Sequence, residues 1–321
     1  MDLIKNAVCL VLACAGGMTA AADKVSLITD FGYNGRHAYF FVALEKGYYK
    51  AVDLDVSILR GQGSVDAIKQ VGIGNATFGF ADAGSLTLAR ANDKVPVKMV
   101  AVVYAKPPQA IFCRADAGLR KPQDLEGRSI ANPAGGSIPD MFPAYAKAAG
   151  IDSTKVQWVV TSSDMLPGLL ATGRAACVGQ FTVGESLLRS QAKPADLVRF
   201  AYADAGLNYY GNGLIATDAT IKSQPELVRR FVAATIRGMK DAFANPAEAA
   251  QIMNKIHRQV AVDIIRGETE AVAELATVKG RPLGKLDPKG MEATLAMVNG
   301  AFKLANPVRA EEVFAAGFVA D

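Results

Sequence analysis

The residues best suited to chemistry crowd into one octapeptide, Asp30-Phe31-Gly32-Tyr33-Asn34-Gly35-Arg36-His37. An aromatic face, an amide and an imidazole stand together there, with donors and acceptors on either side. Such a set suits a flat heteroaromatic ring or an acid: Phe31 stacks, while Asn34 and His37 orient a polar edge. The helix expected just after them adds partial positive charge. The same residues have an ordinary reading, with Asn34 making a turn, Phe31 in the core and His37 on the surface. His37 is one of two histidines, and His257 sits in an ordinary helical context.

Further candidates follow the same logic at other loops. Gly135-Gly136-Ser137 precedes a helix, where free backbone N–H groups and a hydroxyl suit a carboxylate, sulfonate or phosphate. Asp82-Ala83-Gly84-Ser85 repeats the pattern, with Asp82 and Gly84 as its site residues. Gln180 and Glu185 follow a strand, and Glu185 can accept from an amino edge or simply favour the first turn of a helix. Tyr209 and Asn212, in Tyr209-Tyr210-Gly211-Asn212, stand where the chain is expected to cross between two lobes.

These loops alternate with β and helical runs. Segments 24–29, 54–59, 76–80 and 97–103 read as strands, with helices at 36–49, from Ser64 to Val71, and after Ser85. The rhythm restarts with strands at 110–113, 128–131, 156–160 and 175–180, and 213–217 reads as a return strand. Helical segments follow from Pro225 onward. The pattern predicts an α/β fold of two lobes, each a mostly parallel sheet flanked by helices. Lobe 1 is expected over 23–112 and 213–321, and lobe 2 over 113–212. Two hinge crossings, near Cys113 and Gly213, suit cleft closure. In such sheets ligands bind where strands run into helices.

Composition narrows the partners. The 321 residues carry 35 basic and 31 acidic side chains, a net +4 too mild and too mixed for nucleic acid. The N-terminus reads as a secretory signal over 1–22: Lys5, an apolar stretch from Ala7 to Ala15, then Thr19-Ala20-Ala21-Ala22 for cleavage. That stretch is far short of the ~20 residues of a membrane span. A periplasmic location follows as an expectation, with a lipid anchor at Cys14 as the lesser alternative. Cys113 and Cys177 remain after cleavage, and two buried free thiols are expected over a disulfide. The nucleophile-elbow, phosphate-loop and zinc-peptidase signatures are missing, so no catalytic residue, metal or cofactor is expected.

Taken together, the blocks resemble a known family. They are Asp30-Phe31-x-x-Asn34-x-x-His37, Glu45-Lys46-Gly47-Tyr48-Tyr49, Gly74-Asn75-Ala76-Thr77-Phe78-Gly79, Lys121 to Arg128, Gly211-Asn212-Gly213-Leu214 and Pro225 to Phe231. The chain is similar to ABC-importer solute-binding proteins, among them binders of thiamine pyrimidine precursors and aliphatic sulfonates. The resemblance implies a two-lobed periplasmic-binding-protein fold, acting as a monomer. It also implies delivery of a small molecule to an inner-membrane permease with a cytoplasmic ATPase. The pyrimidine branch carries Trp where this chain has Phe31, which keeps stacking and loses the indole donor. A thiamine-related aminopyrimidine is the first ligand expected; sulfonates, aromatic carboxylates and flavin-like rings stay open. A pyrimidine-processing enzyme and a periplasmic sensor are the rival readings. A fungal synthase branch is marked by a cysteine-rich motif, and only Cys177 lies in the comparable region here.

Overall fold

The computed structural model describes residues 21–192 and 196–320. The expected signal segment falls outside them except for Ala21 and Ala22, and Cys14 lies outside as well. Strands β1 (Asp23–Ile28), β2 (Leu54–Leu59), β3 (Phe78–Asp82) and β4 (Val97–Val102) enter one sheet. Strands β5 (Gln109–Arg114), β6 (Ser129–Asn132), β7 (Gln157–Val160), β8 (Cys177–Phe181) and β9 (Leu197–Ala201) build a second, and β10 (Asn212–Thr217) returns to the first. The sheet orders are β2-β1-β3-β10-β4 and β7-β6-β8-β5-β9.

Each sheet is mostly parallel with one reversed strand. β10 runs antiparallel to both β3 and β4, and β5 runs antiparallel to both β8 and β9. The reversed strands are the first ones met after each crossing, so the two crossings and the two reversals are one topological fact. The first crossing lies at 103–108, ahead of the expected Cys113. Pro107 and Pro108 offer no N–H to a ladder, while Gln109 to Cys113 pair in register with β8. Residues 109–112, expected in lobe 1, therefore belong to the second sheet.

Burial follows strand position. β3 and β8 lie in sheet interiors and are buried at every residue, whereas β2 at an edge alternates through Leu54 and Val56. The sequence reading passed over β9. Its five residues carry a charged Arg199 at the centre and sit at a sheet edge, so they lack the strong apolar run of an interior strand.

The helices of the first half are α1 (Ala38–Glu45), α2 (Ser64–Gly72) and α3 (Ala83–Asp93). The second sheet carries α4 (Ser137–Ala149), α5 (Leu166–Ala171) and α6 (Glu185–Gln191). After β10 come α7 (Asp218–Ser223), α8 (Pro225–Ala244), α9 (Pro246–Ile256), α10 (Val262–Ala276), α11 (Pro288–Ala301) and α12 (Ala310–Val313). The expected helix at 36–49 starts as a 3-10 turn over Gly35–His37 and stops at Glu45. α10 seals that turn. A Cβ on Gly35 would lie 2.6 Å from the Ile265 Cα, and Thr269 Oγ1 donates to the Gly35 carbonyl at 3.2 Å.

Cys113 and Cys177 face each other across β5 and β8 and are joined in a disulfide. This corrects the expectation of free thiols: a separation of 64 positions conceals a direct cross-strand pair. Alkylating the unfolded protein without reductant should leave both residues unlabelled, and reduction should cost about 2–4 kcal/mol of stability. Peptide mass spectrometry showing label on either cysteine before reduction would refute the bond.

Candidate functional site

The site grows from the carboxyl end of β1. Thr29 Oγ1 donates to the Gly32 carbonyl at 2.7 Å and accepts from the Gly61 N–H at 3.2 Å, tying the turn after β1 to the turn after β2. Gly32 takes φ +60°, where its missing Cβ removes the steric cost. Asp30 then points into the protein. Its Oδ1 lies 2.7 Å from His37 Nε2, and its Oδ2 accepts from Asn212 Nδ2 at 2.8 Å. Burial alone would raise this carboxyl, but Arg36 and His37 outweigh it and hold the group below its ordinary value.

His37 is fully buried, and both ring nitrogens are engaged within the protein. Nδ1 accepts from the Asn34 N–H at 3.3 Å, so the proton sits on Nε2 and points at Asp30. Burial lowers its pKa against the pull of Asp30. The imidazole is thus a neutral post that fixes the turn.

Phe31, Asn34 and Gln180 come together on a cavity of about 210 Å³ between the loops of the two sheets. Asn34 Nδ2 donates to the Phe31 carbonyl at 2.6 Å. Several lining residues escaped the sequence reading. Tyr33 and His257 contribute rings whose centroids are 4.4 Å apart. Corrected from its ordinary helical reading, His257 caps α9 and lines this cavity, with Nε2 buried and unpartnered. Burial and then Arg60 push it below its usual pKa, so it too is neutral. Arg60 and Asp164 close the mouth with an ion pair at 2.7 Å. Arg60 stands directly after β2, where a strand-end search points; His257 gave no comparable signal.

Behind the cavity lies a buried polar layer. Arg36, 1% exposed, donates from Nη1 to Gln180 Oε1 at 3.0 Å, and its guanidinium stands 5.0 Å from the Phe31 ring and 4.9 Å from that of Phe181. Asp82 accepts from Gln109 Nε2 at 2.8 Å and from the Ser85 N–H at 2.9 Å. Gln109 Nε2 also reaches Ser137 Oγ at 3.2 Å, and the Val65 N–H donates to the Gly135 carbonyl at 3.0 Å. Gly135, Gly136 and Ser137 therefore meet lobe 1 directly, and Gly84 packs on Met141. The Tyr209 hydroxyl and Asn212 Oδ1 are buried without partners among the described residues. Glu185 is not brought to this group. It pairs with Arg189 and Arg199 on a larger groove of about 490 Å³ beside Lys106 and Glu274. That groove lacks aromatic walls, so the smaller cavity at the strand ends is the better candidate.

Glu268 of α10 completes the layer. Its Oε2 accepts from the Arg36 N–H at 3.2 Å, and burial lifts its pKa to about 7 although Arg36 opposes the rise. The folded protein therefore holds this proton more tightly than the unfolded chain, and stability is lost as the pH rises toward 7. Glu268→Gln should gain stability relative to the unmodified protein between pH 5 and pH 8, by up to roughly 3 kcal/mol. Denaturant unfolding at the two pH values measures the difference, and an unchanged gap would show that this carboxyl does not titrate on unfolding.

Comparison with known proteins places the chain. Its residues 34–249 match the family described as NMT1/THI5 like. A formylaminopyrimidine-binding protein of Halalkalibacterium halodurans is 26% identical over 92% of this chain and 90% of that protein. The riboflavin-binding protein RibY of Chloroflexus aurantiacus is 28% identical over 71% and 64% of the two chains. A 4-amino-5-hydroxymethyl-2-methylpyrimidine phosphate synthase of Legionella pneumophila is 25% identical over 74% of each. Among solved structures, the alkanesulfonate-binding protein SsuA of Xanthomonas axonopodis has a TM-score of 0.72 at 13% identity, covering 92% and 99% of the two chains. The fold is that of the periplasmic binding proteins, and the chain belongs to the NMT1/THI5-like family.

Proposed function

We propose that this protein is the exported solute-binding component of an ABC importer and captures a flat, single-ring solute by lobe closure. One observation carries the reading. The cavity at the strand ends is walled by the rings of Phe31, Tyr33 and His257 and edged by the amides of Asn34 and Gln180, with loops of both lobes contributing. Rings supply a stacking face and amides read a polar edge, as small-molecule sites require. At about 210 Å³ the closed cavity is below the ~300 Å³ at which drug-sized ligands begin, which favours one ring over a fused flavin system. The formylaminopyrimidine-binding relative makes a thiamine-related aminopyrimidine the first candidate. The cavity also suits an aromatic carboxylate.

Catalysis is the weaker reading. Cys177 is tied to Cys113, so its sulfur is not a free nucleophile. His37 and His257 are held neutral by burial, and His37 spends both nitrogens on the protein. The disulfide and the N-terminal pattern both support an oxidising, periplasmic location. The partners would then be the solute, an inner-membrane permease and its cytoplasmic ATPase.

Native mass spectrometry of protein taken from the periplasm, followed by thermal shift against aminopyrimidines, aromatic carboxylates and alkanesulfonates, tests the proposal. A true ligand at 100 times its Kd should stabilise by about 2.7 kcal/mol. Phe31→Ala should weaken ring ligands far more than aliphatic sulfonates, and equal losses would remove the stacking wall. Closure has its own test at Gly63. There φ is +141°, and a Cβ would sit 1.9 Å from the Gly135 carbonyl oxygen of the opposite lobe. Gly63→Ala should hold the lobes apart and cost roughly tenfold or more in affinity, the equivalent of about 1.4 kcal/mol of lost closure. Unaltered affinity in titration calorimetry would mean that this contact plays no part in capture.

A further inference from the structure

The geometry points to Arg36 as the receptor for an acidic group on the solute, so that the ring this protein takes carries a carboxylate or a similar two-oxygen acceptor. The inference rests on the single-ring reading above and specifies the chemistry of that ring's substituent.

Arg36 is held in one orientation. Its plane is packed near Phe31 and Phe181, and Nη1 is spent on Gln180 Oε1 at 3.0 Å. That leaves the edge formed by Nε and Nη2. Both atoms are buried and neither has a hydrogen-bond partner among the described residues. The nearest carboxylate oxygen to Nη2 is Asp30 Oδ1 at 3.9 Å, too far for a hydrogen bond, and that oxygen already takes His37 Nε2 at 2.7 Å. An Nε/Nη2 edge presents two parallel N–H groups, the arrangement that meets both oxygens of a carboxylate at once. Buried donors without acceptors are uncommon in native proteins and mark places where a partner is expected.

The surroundings favour an acid. The hydroxyls of Tyr39 and Tyr104 are buried and unpartnered, and both lie close enough to Arg36 and Asp30 to feel their charges. They add two more donors near the guanidinium. The ionised Asp30 balances the charge of Arg36 but does not occupy its Nε/Nη2 edge. Burial holds Glu268 partly neutral near pH 7 and so reduces its competing negative charge. Arg36 adjoins the ring cavity, because Phe31 and Gln180 both line that cavity and hold Arg36. A ring stacked on Phe31 can therefore turn an acidic substituent inward.

Matched pairs of ligands test this on the unmodified protein. Suitable pairs are nicotinate with nicotinamide, and 4-amino-2-methylpyrimidine-5-carboxylate with its 5-hydroxymethyl counterpart. The acid of a pair should bind roughly tenfold or more tightly, as hydrogen bonds to charged groups allow. Arg36→Lys keeps the charge and loses the fork, so it should remove most of that preference, weakening the acid roughly tenfold more than its neutral partner whatever the lost Gln180 bond costs both. Tyr104→Phe should weaken the acid selectively by a smaller factor. A neutral member that binds as well as its acid, or an Arg36→Lys variant that weakens both alike, overturns the assignment and leaves the single-ring reading standing. If neither member of any pair binds, the single-ring reading fails and this inference with it.

Discussion

Everything at the cleft depends on keeping the Asp30 carboxylate ionised where water does not reach. A buried charge is costly unless it is paired and hydrogen-bonded. Three side chains meet that need from different parts of the chain: His37 and Asn212 by hydrogen bonds, Arg36 by its charge. Each is oriented by doing so. Asp30 turns the imidazole so that Nδ1 receives the Asn34 N–H, which shapes the turn carrying Phe31 and Asn34. Asn212 begins the strand that returns from the second sheet, so the same carboxylate also pins the second crossing.

Arg36 links this anchor to the other lobe. It lies near Asp30, bonds Gln180 at the end of β8, and receives α10 through Glu268. Together with Gln109 bridging Asp82 and Ser137, it makes the closed lobes share one polar layer. Such a layer is stable only when its members are nearly all satisfied. Buried atoms without partners among the described residues remain in and near this layer, on Arg36, Tyr39, Tyr104, Gln109 and Asn212, and on His257 in the cavity.

Local pattern carried much of this into the sequence. The alternation in β2, the Ser64 start of α2, and the restart of β/α rhythm after the first crossing were all legible, because they depend on neighbours within a few residues. The octapeptide 30–37 was legible for the same reason, since its residue types gather at a strand end. The edge strand β9 was not, because a charged residue at its centre masks a short run. The disulfide was misread because cross-strand register, not spacing, brings Cys113 to Cys177.

The fold class and the aromatic and amide make-up of the candidate cavity are thus written in local sequence. Which side chains meet there follows from tertiary packing. Arg36 and Gln180 are 144 positions apart, and Asp30 and Asn212 are 182 apart. No local period links such pairs; they meet because the chain crosses from one sheet to the other and back, bringing their loops edge to edge. That arrangement buries His37 with both ring nitrogens bonded within the protein, sets Glu185 on a different groove, and brings His257 and Arg60 onto the cavity.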